Sequence, residues 1–203
     1  MNYDLQLKLR ELIELCAQDK DNCSPIVYEA LSLAKSANDE VLLAGTIVDT
    51  AVYLENETLE SAYLLGLQIS EPAYRALALF SLVSLSRRLG KDQRNMVLKE
   101  ALKTTLTIEN VNSRISSTAT LLNLLQIYLP KGEDYTFALE NFEEFLKTLE
   151  DSVSRVDGLA ILSSHFEYER NKNILQEALN IAQQIEDPVA KTKAMDILTP
   201  YLE

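Results

Sequence analysis

Three observations predict an all-α protein built from repeated helical hairpins. Apolar residues recur at three- and four-residue steps along most of the 203-residue chain, the period of a helix that buries one side. Polar residues good at capping stand where such stripes begin, some directly before a proline, as at Ser24-Pro25 and Asp187-Pro188. Proline suits a first helical position, where no intrahelical donor is needed. The same two-helix pattern then returns five times. Only five Gly and five Pro argue against a loop-rich β fold, and 47% hydrophobic residues leave ample core.

The chain opens with a helix over residues 3–18, carrying Leu5, Leu9, Ile13 and Cys16 on one side. The polar run Gln18-Asp19-Lys20-Asp21-Asn22 ends it, and Ser24-Pro25 starts the next by the cap-plus-proline device. Cys16 and Cys23 lie seven apart across this helix end. Two cysteines make neither a disulfide framework nor a metal site; a bridge between them is the alternative at this spacing, and two free thiols are the expectation. Hairpins follow over about 25–54, 57–89, 92–129, 134–169 and 172–202. The last is the clearest. Ala178, Ile181, Ala182 and Ile185 share one helix side, Glu186-Asp187 breaks the chain, and Pro188 opens the second helix.

The hairpins can be superposed by the residue before each polar turn: Ala37, Ile69, Ile108, Leu149 and Ile185. Ten residues earlier stand Val27, Leu59, Leu98, Leu139 and Leu175; seven earlier stand Ala30, Ala62, Ala101, Phe142 and Ala178. Two residues later come the expected caps Asp39, Glu71, Asn110, Asp151 and Asp187. Nine later are the small residues Thr46, Ala78, Ser117, Gly158 and Ala194, which let a neighbouring backbone approach. Thirteen later are Thr50, Leu82, Leu121, Leu162 and Leu198. A hairpin alone leaves apolar surface bare, so stacking is required. The expected architecture is one right-handed α-α superhelix over residues 1–203. From about Pro25 to Leu202 the pattern resembles the tetratricopeptide-like and HEAT-like helical-repeat proteins, with Leu65-Gly66-Leu67 echoing a tetratricopeptide Leu-Gly pair. That resemblance implies a curved solenoid whose groove holds a partner.

Two joints stand out. Gly90, after Arg87-Arg88-Leu89, reads as a left-handed helix end. Pro130-Lys131-Gly132-Glu133-Asp134 is the strongest breaker and predicts a bend, though not a domain boundary.

Signatures of catalysis are missing: the sequence has no glycine-rich phosphate loop, Walker lysine or Gly-x-Ser-x-Gly elbow. The one histidine, His165, falls at a repeat position otherwise held by Tyr53, Leu85, Leu124 and Tyr201, so a packed, hydrogen-bonded role is expected. Adjacent carboxylates such as Glu143-Glu144 and Glu150-Asp151 diverge on a helix and do not converge on one atom. No catalytic residue, metal or cofactor is expected, and zinc has little to build on. The opening residues lack a secretory pattern and Ala76–Leu85 is too short to span a bilayer. A cytoplasmic protein without membrane attachment is expected.

A base recurs six residues past four anchors, as Arg75, Arg114, Arg155 and Lys191, with Leu43 in the other hairpin. A structural role is expected, in part through acid-before-base pairs four apart. The net charge of −12 weighs against nucleic acid, whose phosphates the average surface repels. Its layout is uneven: −9 over residues 1–74, +5 over 75–103 and −8 over 104–203. Arg75, Arg87, Arg88, Lys91, Arg94, Lys99 and Lys103 supply the basic middle. It reads as a solvated joint or as a docking patch for an acidic segment, including one from a second copy of this chain. Tyr28, Tyr63, Tyr74 and Arg75 are candidate contacts, tyrosine and arginine being favoured at interfaces. The expected function is a non-catalytic interaction module or scaffold that binds a protein or peptide segment. A lyase or hydrolase with a groove site, and nucleic-acid binding through the basic middle, are the alternatives.

Overall fold

The computed structural model describes residues 3–19, 23–86, 88–130 and 132–202. Among these, eleven α-helices form: α1 Tyr3–Gln18, α2 Ser24–Ser36, α3 Glu40–Thr50, α4 Asn56–Gln68, α5 Pro72–Leu85, α6 Lys91–Leu106, α7 Val111–Tyr128, α8 Glu133–Lys147, α9 Ser152–Ser163, α10 Tyr168–Gln184 and α11 Pro188–Leu202. A 3-10 turn, Ala51–Tyr53, follows α3. Helices pack mostly on close neighbours in the chain, as expected of a helical repeat. No described helix is long and apolar enough to cross a membrane.

The repeat register explains the core. All five residues ten before the anchors are buried, from Val27 to Leu175, as are all five at seven before and all five at thirteen after. Thr50, the one polar member, donates its hydroxyl to the Thr46 carbonyl at 2.7 Å. The five expected caps all accept first-turn N–H groups: Asp39 from Leu42, Glu71 from Ala73, Asn110 from Ser113, Asp151 from Ser154 and Asp187 from Ala190. Four of the five small residues nine past the anchor are buried, and Gly158 shows why size matters there. A Cβ on Gly158 would overlap Leu146 of α8.

Contacts gather the chain into two compact units, Met1–Ile108 and Glu109–Glu203. In the first, α5 is the hub against α3, α4 and α6, and it buries seven residues from Ala76 to Val83. The turn between α4 and α5 is held from α3. The Glu40 carboxylate accepts from the N–H groups of Ser70 (2.8 Å) and Glu71 (2.9 Å) and from the Ser70 hydroxyl. In the second unit α9 is the hub, against α7, α8, α10 and α11. There the Ser154 hydroxyl donates to Asn112 of α7 at 3.4 Å. The stretch expected as the third hairpin, about 92–129, has α6 in one unit and α7 in the other.

Three expectations need correction. Cys16 and Cys23 are not free thiols: they form a disulfide with Cα atoms 4.8 Å apart. α1 and α2 lie side by side, which brings both fully buried sulfurs together at the ends of the link. Ser24 is not a cap either. It is the first residue of α2, Cys23 holds the cap position, and no side chain caps the helix. Gly90 is extended (φ −65°, ψ 164°), not left-handed, because α5 has already ended at Leu85. Gly90 instead precedes α6, its N–H donating to the Gln93 side chain at 3.2 Å. The left-handed position among the described residues is Asn38 (φ 51°), in the α2–α3 turn. Gly132, also extended, precedes α8 with its N–H donating to the Leu129 carbonyl at 3.1 Å, while Lys131 of the expected bend lies outside the described residues.

Candidate functional site

The first helices of the hairpins each turn one stripe outward. Five, nine and twelve residues before the anchor are near-neighbours on a helix face, and they point away from the hub. In the first unit these positions include Tyr28 on α2, Glu57, Glu60 and Leu64 on α4, and Met96, Lys99 and Lys103 on α6, all exposed. Leu64 and Met96 are about half exposed, at 50% and 48%. That is a cost for two large apolar side chains in water.

Between α4 and α6 the stripes enclose a groove of 430 Å³. α4 sends Leu59, Ala62, Leu65 and Gly66 inward, which leaves Tyr63 and Leu64 on its open side. α6 buries Val97, Leu98, Ala101 and Leu102, which leaves Gln93 and Met96 across from them. Glu57 and Glu60 edge the α4 wall. The α6 stripe continues into Lys99 and Lys103, and Lys103 meets Glu100 at 2.6 Å. Tyr63 is half-buried. Burial, with Glu100 adding to it and Lys103 opposing, pushes its phenol pKa up, so the hydroxyl stays a donor. The groove can thus grip an apolar side chain along its floor and read charge at its edges.

The residues expected from sequence divide around this groove. Tyr63 lines it, Lys99 and Lys103 continue one wall, and Tyr28 occupies the same register position as Glu60 and Lys99. Lys91 is exposed at the start of α6. Tyr74 is exposed at the start of α5, away from the α4 wall. The Arg75 guanidinium closes its own turn, with Nε on the Ile69 carbonyl at 2.7 Å and a terminal nitrogen on that of Ser70. Arg94 binds the Leu89 carbonyl at 3.0 Å in the same manner. Arg88 lies 3.8 Å from Glu55 beside a polar cleft with Ser24 and Asn56. Arg87 lies outside the described residues. Much of the basic middle is therefore engaged within its own unit. Sequence reasoning passed over Leu64 and Met96; superposing the outward positions would have marked Leu64 as an apolar residue in an otherwise polar column, whereas Met96 shares its column with Pro25 and Phe137 and does not stand out.

The recurring base is used differently in each hairpin. Arg114 stacks on the Phe145 ring at 4.1 Å, Arg155 pairs with Glu177 at 2.7 Å, and Lys191 binds the Gln183 carbonyl at 2.7 Å. His165 is half-buried beside Tyr135, whose hydroxyl is 3.2 Å from Nδ1; burial lowers the imidazole pKa. Glu143 and Glu144 pair with Arg170 and Lys147, and Asp151 caps α9. Among the described residues no cluster of His, Cys, Asp and Glu is placed to hold a metal. Comparison with known proteins finds no matching family model, no matching curated protein and no matching solved structure, so what can be said of kinship ends at an all-helical chain whose eleven described helices pack mostly in sequence.

Proposed function

We propose that the protein is a non-catalytic interaction module that holds a segment of a partner protein in the α4/α6 groove. The observation that carries this reading is the pairing of exposed Leu64 and Met96 over an apolar groove with acidic residues on one wall and lysines continuing the other. A partner side chain seated there removes both from water, at about 25 cal/mol per Å² of apolar area covered. The charged edges then select register. The proposal includes a right-handed superhelical course for the hairpins, of the tetratricopeptide-like or HEAT-like kind, with the first helix of each hairpin on the binding face. The preferred segment is amphipathic, with apolar anchors for the floor and an acidic residue for the lysine side.

Capture from native extract tests it when wild type is compared with the double variant Leu64→Asp, Met96→Asp. Both positions are half exposed, so the helical circular dichroism is expected to stay unchanged. A partner retained by wild type and lost by the double variant supports the reading. Partners retained equally by both refute it.

A further inference from the structure

α1 and α3 face one another across a second cavity, of 580 Å³, within the range that takes a small molecule. The α3 wall includes Leu42, Gly45, Thr46 and Asp49, spaced three and four apart on one helix face, with Val41 beside them. The α1 wall includes Leu9, Arg10, Ile13 and Glu14. Gly45 makes the room, since a Cβ built there meets no atom within 4 Å. The other side of α3 is closed by α5, whereas α1 rests chiefly on α2.

The lining is apolar at Leu9, Ile13, Val41 and Leu42 and holds three carboxylates against one guanidinium. Two of those carboxylates are engaged: Asp39 accepts from the Leu42 N–H at 3.1 Å, and Glu14 pairs with Arg10 at 3.0 Å. Asp49 has no hydrogen bond or ion pair with a described residue. Asp49 is exposed at the cavity rim, and the desolvation it does have there raises its pKa with no cation to offset it. The −9 charge over residues 1–74 draws cations toward this end of the chain.

We propose that this cavity binds a small primary amine with an aliphatic stem, the ammonium meeting Asp49 and the stem lying on Leu9, Ile13, Val41 and Leu42. An anion would face an excess of carboxylates, and a neutral alcohol would leave Asp49 uncompensated. The site is independent of the α4/α6 groove.

Titration of n-hexylamine into the full chain, followed by calorimetry and amide NMR shifts, tests the assignment. Saturable binding is expected, weakened about tenfold by Asp49→Asn and abolished by Gly45→Leu, which fills the cavity. n-Hexanol and hexanoate, with the same stem, are expected to bind at least about tenfold more weakly than the amine. Asp49 is exposed enough that its amide variant folds, so the test survives if the leucine variant does not. Equal binding of the alcohol or the acid, full binding by either variant, or no saturable binding overturns the proposal. Tighter binding of a Leu-Lys-Leu peptide through the same residues overturns the assignment to a free amine.

Discussion

Gly158 sits where α9 meets α8, and the fully buried Leu146 occupies the space a side chain would need. Gly45 is also inside a helix, yet nothing stands over it. The same substitution should therefore act in opposite directions. Gly45→Ala is expected to stabilise by about 0.5–1 kcal/mol through helix propensity alone. Gly158→Ala gains that term but forces Leu146 to move, for a net loss of about 1 kcal/mol. Urea midpoints of the two variants check both signs. Glu40 gives a prediction in pH. Its carboxylate accepts from the Ser70 hydroxyl and two N–H groups, which holds its pKa below the usual glutamate value. A lowered folded pKa adds stability that is complete above the unfolded value and fades as pH falls through the folded one. Glu40→Gln should therefore lower the melting temperature at pH 7, and the difference should shrink progressively as pH falls below the ordinary glutamate pKa of about 4.3. An unchanged difference across that window would refute the assignment.

At the scale of an element, each second helix has one position that the hub packing depends on. Leu82 on α5 and Leu121 on α7 occupy it with 0% and 1% exposure. Truncating either to alanine is expected to cost about 2–5 kcal/mol. Thr50 holds the same place in α3, and Thr50→Ala should cost only about 1 kcal/mol, the worth of its hydroxyl bond and a methyl-sized change. Denaturant unfolding of the three variants gives the ranking. These positions were legible in the sequence because a helix stripe and a cap are local: Asp187, Pro188 and Leu198 fix one another within a dozen residues. Gly90 was misread because glycine suits both ends of a helix, and only the stop of α5 at Leu85 shows which end it serves. The groove over Tyr63 and the cavity over Gly45 depend on how far apart two helices lie, which no spacing along one helix records. The hydrogen bonds of Arg75 and Arg94 were equally hidden. A basic residue looks alike in sequence whether it faces solvent or reaches back to a carbonyl.

For the whole molecule, α5 and α9 are the helices most enclosed within their units, and their amides should be the slowest to exchange with deuterium. Fast exchange in α5 relative to α4 or α6 would contradict its place as hub. The disulfide is the other property of the chain as a whole. Joining residues seven apart is expected to contribute about 2 kcal/mol through the entropy of the unfolded chain. Adding reductant should lower the urea midpoint accordingly, and the denatured protein should titrate no thiols before reduction and two after. Two reactive thiols without reductant would show the pair open. In a reducing cytoplasm the pair is expected open and in an oxidising compartment closed, so alkylation in intact cells reads the setting directly.

Because the sulfur link spans positions 16 to 23, a protease that severs the backbone anywhere between them releases nothing. The nicked protein should run as one species on a denaturing gel and part into two fragments only when dithiothreitol is added.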